Sequence, residues 1–196
     1  IYLNGSVKYT EGNVPVFNID GAVITANATG IYAAGYGKWN IKDTTIKGVD
    51  TAIEIRAGEM NIEGGTFTAS AVPTEVTPNG NGTTSSGSAV AVAQHTTKLP
   101  VTVNISGGTF EGYSTLYESN PQKNSDEDIA KVQLKVTGGV FNAINGGTVA
   151  VYSEDCTGFI SGGEFNIEPN SSYLVESVKN FEKAKEEIFK YNPDLI

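Results

Sequence analysis

Along most of this chain apolar and polar residues alternate in short runs, and the alternation breaks repeatedly at one kind of place. Residues 104–112 read "NISGGTFEG", with two glycines between the apolar Ile105 and the aromatic Phe110. The same setting returns as "NIEGGTFTA" at 61–69, "KVTGGVFNA" at 135–143 and "FISGGEFNI" at 159–167. Period-two alternation predicts strands, and an isolated GG would mark only a turn or bulge. Four copies in similar settings are a repeat.

The repeat has a definite register. Its reference aliphatic residue falls at Ile19, Ile41, Ile62, Ile105, Val136 and Ile160, the first two in the weaker copies "NIDGAVI" and "NIKDTTI". Five residues on stand Ile24, Ile46, Phe67, Phe110, Phe141 and Phe165. Two residues before stand Phe17, Trp39, Met60, Val103 and Leu134, with Gly158 breaking the column. Successive reference residues are separated by 22, 21, 43, 31 and 24 positions. The two long periods contain polar, Gly- and Pro-rich stretches at about 70–88 and 119–128. These read as loops, and removing them returns both periods to the low twenties. A second strand is expected around Ile31, Ile53, Val90, Leu116 and Val149, with a further copy at Leu174.

A period near 22 with short strands and tight corners fits one coil of a parallel β-helix, whose strands pair with those of the next coil about 4.8 Å away. Identical inward residues then stack in columns. The glycines let the chain turn between two inward residues without a Cβ against the adjacent coil. A β-sandwich also has strands at regular spacing, but it does not require the same residue type at the same point of the period.

From 178 onward the pattern changes. "NFEKAKEEIFK" (180–190) places Phe181, Ala184 and Ile188 at helical spacing behind a candidate N-cap at Asn180. Phe181, Ile188, Phe189 and Tyr191 call for burial, so residues 178–196 are expected to be a capping helix and tail closing the open apolar end of the solenoid. A linker to a further domain is the other reading. The expected organisation is therefore an all-β, right-handed parallel β-helix of about six coils over residues 1–177, followed by a C-terminal amphipathic helix.

Charge and composition narrow the partners. A net charge of -9 argues against a nucleic-acid backbone or an anionic membrane surface. No apolar run approaches the roughly 20 residues of a membrane-spanning helix. The single Cys156 excludes an internal disulfide and fits either a reducing compartment or a secreted protein that avoids cysteine. Beginning at Ile1, the chain reads as a mature or excised fragment.

The "ISGGTF" and "ISGGEF" units resemble the GGTF-type parallel β-helix repeats of bacterial cell-surface proteins, a branch of the pectate-lyase-like solenoids. "EPNSSYLVES" (168–177) is similar to the Pro-x-x-x-Tyr segment that closes such tracts. The resemblance covers about Val14 to Ser177. It implies a secreted or surface-attached protein, adhesive or glycan-directed, and carries over no catalytic residue, because the matching positions are structural.

The residues offer little catalytic chemistry. A polysaccharide lyase needs a carboxylate cluster for calcium with an Arg or Lys base, and a hydrolase needs carboxylates at fixed separation. Asp20, Lys42 and Glu63 share one outward position on three consecutive coils, where alternating signs read as an ion-pair ladder. Arg56, the sole arginine, alternates with Glu54 on the outer side of the second strand, with Ala34 and Ala93 as its neighbours by register. The lone His95 reads as a loop residue, and Asp155 beside Cys156 is expected to raise the thiol pKa. "SDED" (125–128) lacks regular ligand spacing and reads as a solvated loop. Asn18, Asn40, Asn61 and Asn104 form a column that reads as a stacked amide ladder. Neither a metal site nor a cofactor is expected.

One face stands out. Just after the inward residue of the second strand come Tyr32, Glu54, Ala91, Tyr117 and Ala150. Loop 71–87 enters this face at one corner and loop 119–128 leaves it at the opposite corner one coil later. The resulting shallow groove gives Tyr32, Glu54 and Tyr117 as ligand-binding candidates, with tyrosines for sugar stacking and polar rims for hydroxyls. The expected function is a non-enzymatic extracellular or cell-surface module contacting a neutral glycan or a host or cell-surface component, without membrane insertion. Alternatives are a polysaccharide lyase or hydrolase, and a structural spacer or phage fibre or decoration segment.

Overall fold

The computed structural model describes residues 1–6, 10, 12–74, 86–180 and 183. Its strands form three sheets in which every pairing is parallel, and sequence neighbours always lie in different sheets. That is the signature of a chain wound into a β-helix. The first sheet holds Val16–Asp20, Lys38–Lys42, Gly58–Ile62, Val101–Ile105 and Val132–Val136. The second holds Val23–Ala26, Thr44–Gly48, Gly65–Ala69, Thr109–Gly112, Val140–Ala143 and Glu164–Phe165. The third holds Tyr2–Leu3, Thr29–Ala33, Thr51–Ile55, Ser88–Val92, Ser114–Glu118 and Val151–Ser153.

The predicted register is the observed one. Ile19 pairs with Ile41, Ile41 with Ile62, Ile62 with Ile105 and Ile105 with Val136, and Ile160 extends the column as a bridge. In the second sheet the Phe67–Phe110, Phe110–Phe141 and Phe141–Phe165 rings stack at 5.0, 4.9 and 4.8 Å with interplanar angles of 14°, 10° and 11°. These separations are the strand spacing itself, so pairing in register places the rings in offset contact. Phe67, Phe110 and Phe141 have no exposed surface. Each such burial is worth about 2 kcal/mol before the stacking gain.

The GG step sits at the corner between the first and second sheets. Gly108 has φ +107°, a conformation side chains rarely adopt, and a Cβ on Gly107 would lie 2.5 Å from the carbonyl oxygen of Glu63 on the adjacent coil. One glycine turns the chain, and the other lets two coils approach. Neither upstream copy has a GG; Gly21 makes the corner at φ +62° in the first and Asp43 at φ +46° in the second.

Polar ladders run along two of the sheets, one on the outward side of the first and one at the start of the third. Asn40 Nδ2 donates to Asn18 Oδ1 at 2.8 Å, Asn61 to Asn40 at 3.0 Å and Asn104 to Asn61 at 2.9 Å. At the start of the third sheet, Thr51 donates to Thr29 at 2.9 Å, and the Ser88 and Ser114 hydroxyls lie 2.8 Å apart. The second ladder was not anticipated, although its residues stand two positions before each inward residue of that strand.

Three readings need correction. Leu116 pairs with Val151, not Val149, so the outward row ends at Tyr152 rather than Ala150. Leu174 pairs with Ile160 in the first-sheet column, not in the third sheet. And "SDED" is not wholly solvated loop, because Asp126–Ile129 is a helical turn with Asp128 and Ile129 buried. The closing segment places the Tyr173 ring 5.2 Å from Phe159, and its hydroxyl donates to Ser153 O at 2.9 Å. Residues 176–180 and 183 are helical. The remainder of the expected helix, with Phe181, Ala184, Ile188, Phe189 and Tyr191, lies outside the described residues, as does most of loop 71–87.

Candidate functional face

On a parallel strand, outward positions of consecutive coils stack as the inward ones do. On the third sheet this produces one continuous row: Tyr2, Tyr32, Glu54, Ala91, Tyr117 and Tyr152. The tyrosines fall into two stacked pairs, Tyr2–Tyr32 at 5.4 Å and 9° and Tyr117–Tyr152 at 4.9 Å and 20°. Tyr2 is exposed, and the other three are partly so. Burial is the main cause raising the phenol pKa of Tyr32, Tyr117 and Tyr152; Glu154 and Glu118 add to it at Tyr117 and Tyr152. At neutral pH these hydroxyls are therefore protonated and able to donate.

Between the pairs the face changes character. Glu54 and Ala91 have no exposed surface, and neither does Arg56. Arg56 Nη1 donates to Glu54 Oε1 at 3.0 Å. Beyond the alanines expected by register, the surroundings of Arg56 include Tyr32, to which it hydrogen-bonds, and the buried His95. The His95 ring is held by its own turn, its Nδ1 accepting from Thr97 N at 3.2 Å. A Cβ on Gly5 would lie 2.7 Å from its Nε2. Burial first, then Arg56, depresses the His95 pKa, so the ring is neutral at pH 7. Of the predicted ligand residues, Tyr32 and Tyr117 thus present surface, whereas Glu54 is a buried structural partner.

The insertions leave the chain where expected. The first lies between Gly65–Ala69 and Ser88–Val92, and the second between Ser114–Glu118 and Val132–Val136. The second is anchored by Asp128, whose carboxylate accepts from Lys98 at 2.7 Å, Lys131 at 2.8 Å and Ser125 at 2.9 Å. Asp20, Lys42 and Glu63 do align, but no described ion pair joins them; Lys38–Glu59, at 2.9 Å, is the surface pair nearby.

At the corner after Val151–Ser153 the structure gathers groups that the sequence did not bring together. Glu118 is buried, and its Oε2 accepts from Ser153 Oγ at 2.7 Å and Asp155 N at 3.0 Å. Asn120 N donates to Glu154 Oε2 at 2.9 Å. Burial, then Glu118, pushes the Cys156 thiol up to about 12, so the direction expected for it holds, with Asp155 a lesser cause. The apolar-polar alternation had one legible signal here, since Glu118 breaks the column occupied by Ile55 and Val92.

No family model matches the chain, and comparison with curated proteins and with solved structures found no match either.

Proposed function

We propose that this β-solenoid is an extracellular or cell-surface module of the GGTF-type kind, whose third-sheet face contacts neutral glycans without transforming them. The observation carrying this reading is the in-register tyrosine row. Paired rings on consecutive coils give a ridge with apolar edges and hydroxyl donors, a combination suited to sugar CH and OH groups. Repetition along the axis suits an extended ligand. The net charge of -9 disfavours acidic polymers. A lyase or hydrolase has less support, because Arg56 is buried in an ion pair and does not reach the surface.

A glycan array of neutral, amino and acidic oligosaccharides tests the reading. A neutral oligosaccharide is expected to bind. Tyr117→Ala is expected to weaken that binding by about 1–2 kcal/mol through loss of aromatic contact, and Tyr152→Ala similarly. Affinity for the array ligand that ignores both changes overturns the assignment of the face. Release of unsaturated or reducing-end products from a polysaccharide overturns the non-enzymatic reading.

A further inference from the structure

Val16–Asp20 and Val23–Ala26 are the outermost strands of the first and second sheets at the N-terminal end of the solenoid, each paired on one side only. Their inward residues Phe17, Ile19 and Ile24 are partly exposed, whereas Trp39, Ile41 and Ile46, one coil further in, are at most 1% exposed. Neither strand carries the usual protections of an open edge, such as a proline, a lysine or a bulge. The amide ladder is unfinished here as well. Asn18 accepts from Asn40, but no described residue accepts from its own Nδ2.

The third sheet differs, because Tyr2–Leu3 adds one strand beyond Thr29–Ala33. The end face therefore has two empty strand places and one extra strand. Successive strands of a coil climb the axis by about a third of the roughly 4.8 Å between coils. Tyr2–Leu3 thus lies about 1.6 Å beyond Val16–Asp20, and Val23–Ala26 about 1.6 Å behind it. A second copy turned about a twofold axis through Asn18 sets Val16–Asp20 antiparallel to its own counterpart. When those two strands sit at the ordinary spacing, the second copy's Tyr2–Leu3 arrives beside Val23–Ala26 at that same spacing, and the reciprocal pair forms too. All three sheets then run across the junction without a gap. Inward residues meet inward residues, Phe17 facing Ile19 of the second copy. Each Asn18 Nδ2 has the other Asn18 Oδ1 as acceptor, on the lone pair that Asn40 leaves free.

We propose that this end is the docking surface for a second copy of the chain, joined head to head through three antiparallel strand pairs. Its self-complementarity favours a copy over an unrelated partner. Charge agrees: Asp20 is the sole charged residue of the three strands, so two chains of net charge -9 meet where they repel least. A head-to-tail contact fits less well. At the opposite end the first-sheet column is continued only by single bridges, Ile160 to Val136 and Leu174 to Ile160. Gly5, in the connection from Tyr2–Leu3 to Val16–Asp20, packs away from the face, against His95 beyond the Ser88–Val92 strand. The inference does not rest on glycan binding by the tyrosine row.

The test is sedimentation equilibrium of the 196-residue chain over a concentration series, joined to cysteine cross-linking. A dimer that dissociates to monomer on dilution is expected. Directly opposed residues of an antiparallel pair have Cα atoms about 4.5–5.5 Å apart, within reach of a disulfide. Asn18→Cys in a Cys156→Ala background is therefore expected to give a covalent dimer with diamide as oxidant. Gln133→Cys in the same background, at an exposed position four strands along the same sheet, is expected not to. Asn18→Asp keeps an acceptor for Asn40 but sets two carboxylates against each other, and is expected to weaken the dimer roughly tenfold or more at pH 7. Gln133→Glu adds the same charge away from the face and is expected to leave the dimer intact. Thermal melts of the dilute proteins show whether each variant is folded. A chain that stays monomeric up to about 1 mM, a dimer that Asn18→Cys does not cross-link, or one indifferent to Asn18→Asp each overturns the proposal.

Discussion

Arg56 Nη1 lies 3.0 Å from Glu54 Oε1 on the outward side of a strand, and neither side chain has any exposed surface. An outward position is normally a solvated one, so this pair is a buried ion pair at a place where alternation alone predicts a surface pair. Buried pairs add little over an apolar replacement, but breaking one leaves a buried charge without its counter-charge. Glu54→Gln is expected to lower stability by about 3–5 kcal/mol. Replacing both residues, as Glu54→Leu with Arg56→Met, is expected to cost less than the single change. Urea unfolding of the three proteins checks both statements, and a wild-type midpoint for Glu54→Gln would mean that the pair is solvated.

The aliphatic column gives the sharpest test of register. Ile105 is 1% exposed and pairs with Ile62 on one side and Val136 on the other. Ile105→Asp places an unpaired charge in that column and is expected to cost several kcal/mol, about 3–5. Lys135→Ala, one residue before Val136 on the exposed side of its strand, is expected to stay within about 0.5 kcal/mol of wild type. Equal thermal melts for the two variants would refute the register.

What the sequence made legible was whatever the repeat enforces. Inward columns need the same residue type at each turn, so Ile62, Ile105 and Phe110 announced themselves, and the Asn18–Asn104 ladder did so for the same reason. The failure at Val149 has a simple cause. A one-residue slip turns a strand inside out, whereas a two-residue slip preserves its alternation. Val149 and Val151 are both apolar, and Ala150 and Tyr152 share outward parity, so pattern alone had no means to choose. The choice is made by the turn at 144–147, where Gly147 N donates to Ile144 O, and by Ala150 O, which accepts from Thr115 N at 2.7 Å. The acidic corner was illegible for another reason. Glu118, Asp126 and Asp155 are brought together by an insertion and a turn, neither of which obeys the period.

Asp128 sets how the second insertion responds to acid. Hydrogen bonds from Lys131, Lys98 and Ser125 hold its carboxyl well below the usual carboxylate range. A depressed folded-state pKa means that the native state holds fewer protons than the unfolded chain, so stability falls as pH falls. The contribution is fully present above the unfolded value of about 4 and is lost as pH drops below it. The gap in melting temperature between wild type and Asp128→Asn is therefore expected to be widest near pH 7 and to shrink below about pH 4. A gap that stays constant down to pH 2 would mean that the lysines contribute nothing through this carboxylate.

The amide ladder separates position from chemistry. Asn61 donates to Asn40 at 3.0 Å and accepts from Asn104 at 2.9 Å, and it is partly buried; Asn18, at the end of the row, is exposed and makes a single bond in it. Stacked amides at the strand spacing leave each interior side chain with one neighbour to donate to and one to accept from. Removing an interior member therefore strands two groups, while removing the end member strands one that water can reach. With a net value of about 1 kcal/mol per hydrogen bond and more where the orphaned group is shielded, Asn61→Ala is expected to cost about 2 kcal/mol and Asn18→Ala about 0.5 kcal/mol. Asn61→Asp distinguishes a ladder from simple packing, because it keeps the size but removes the donor to Asn40. At pH 7 it is expected to be at least as damaging as Asn61→Ala, and to recover as the new carboxyl is protonated at low pH and regains a donor. Denaturant unfolding at pH 7 and pH 4 measures this, and an Asn61→Asp protein as stable as wild type at both would show that the column is held by its backbone alone.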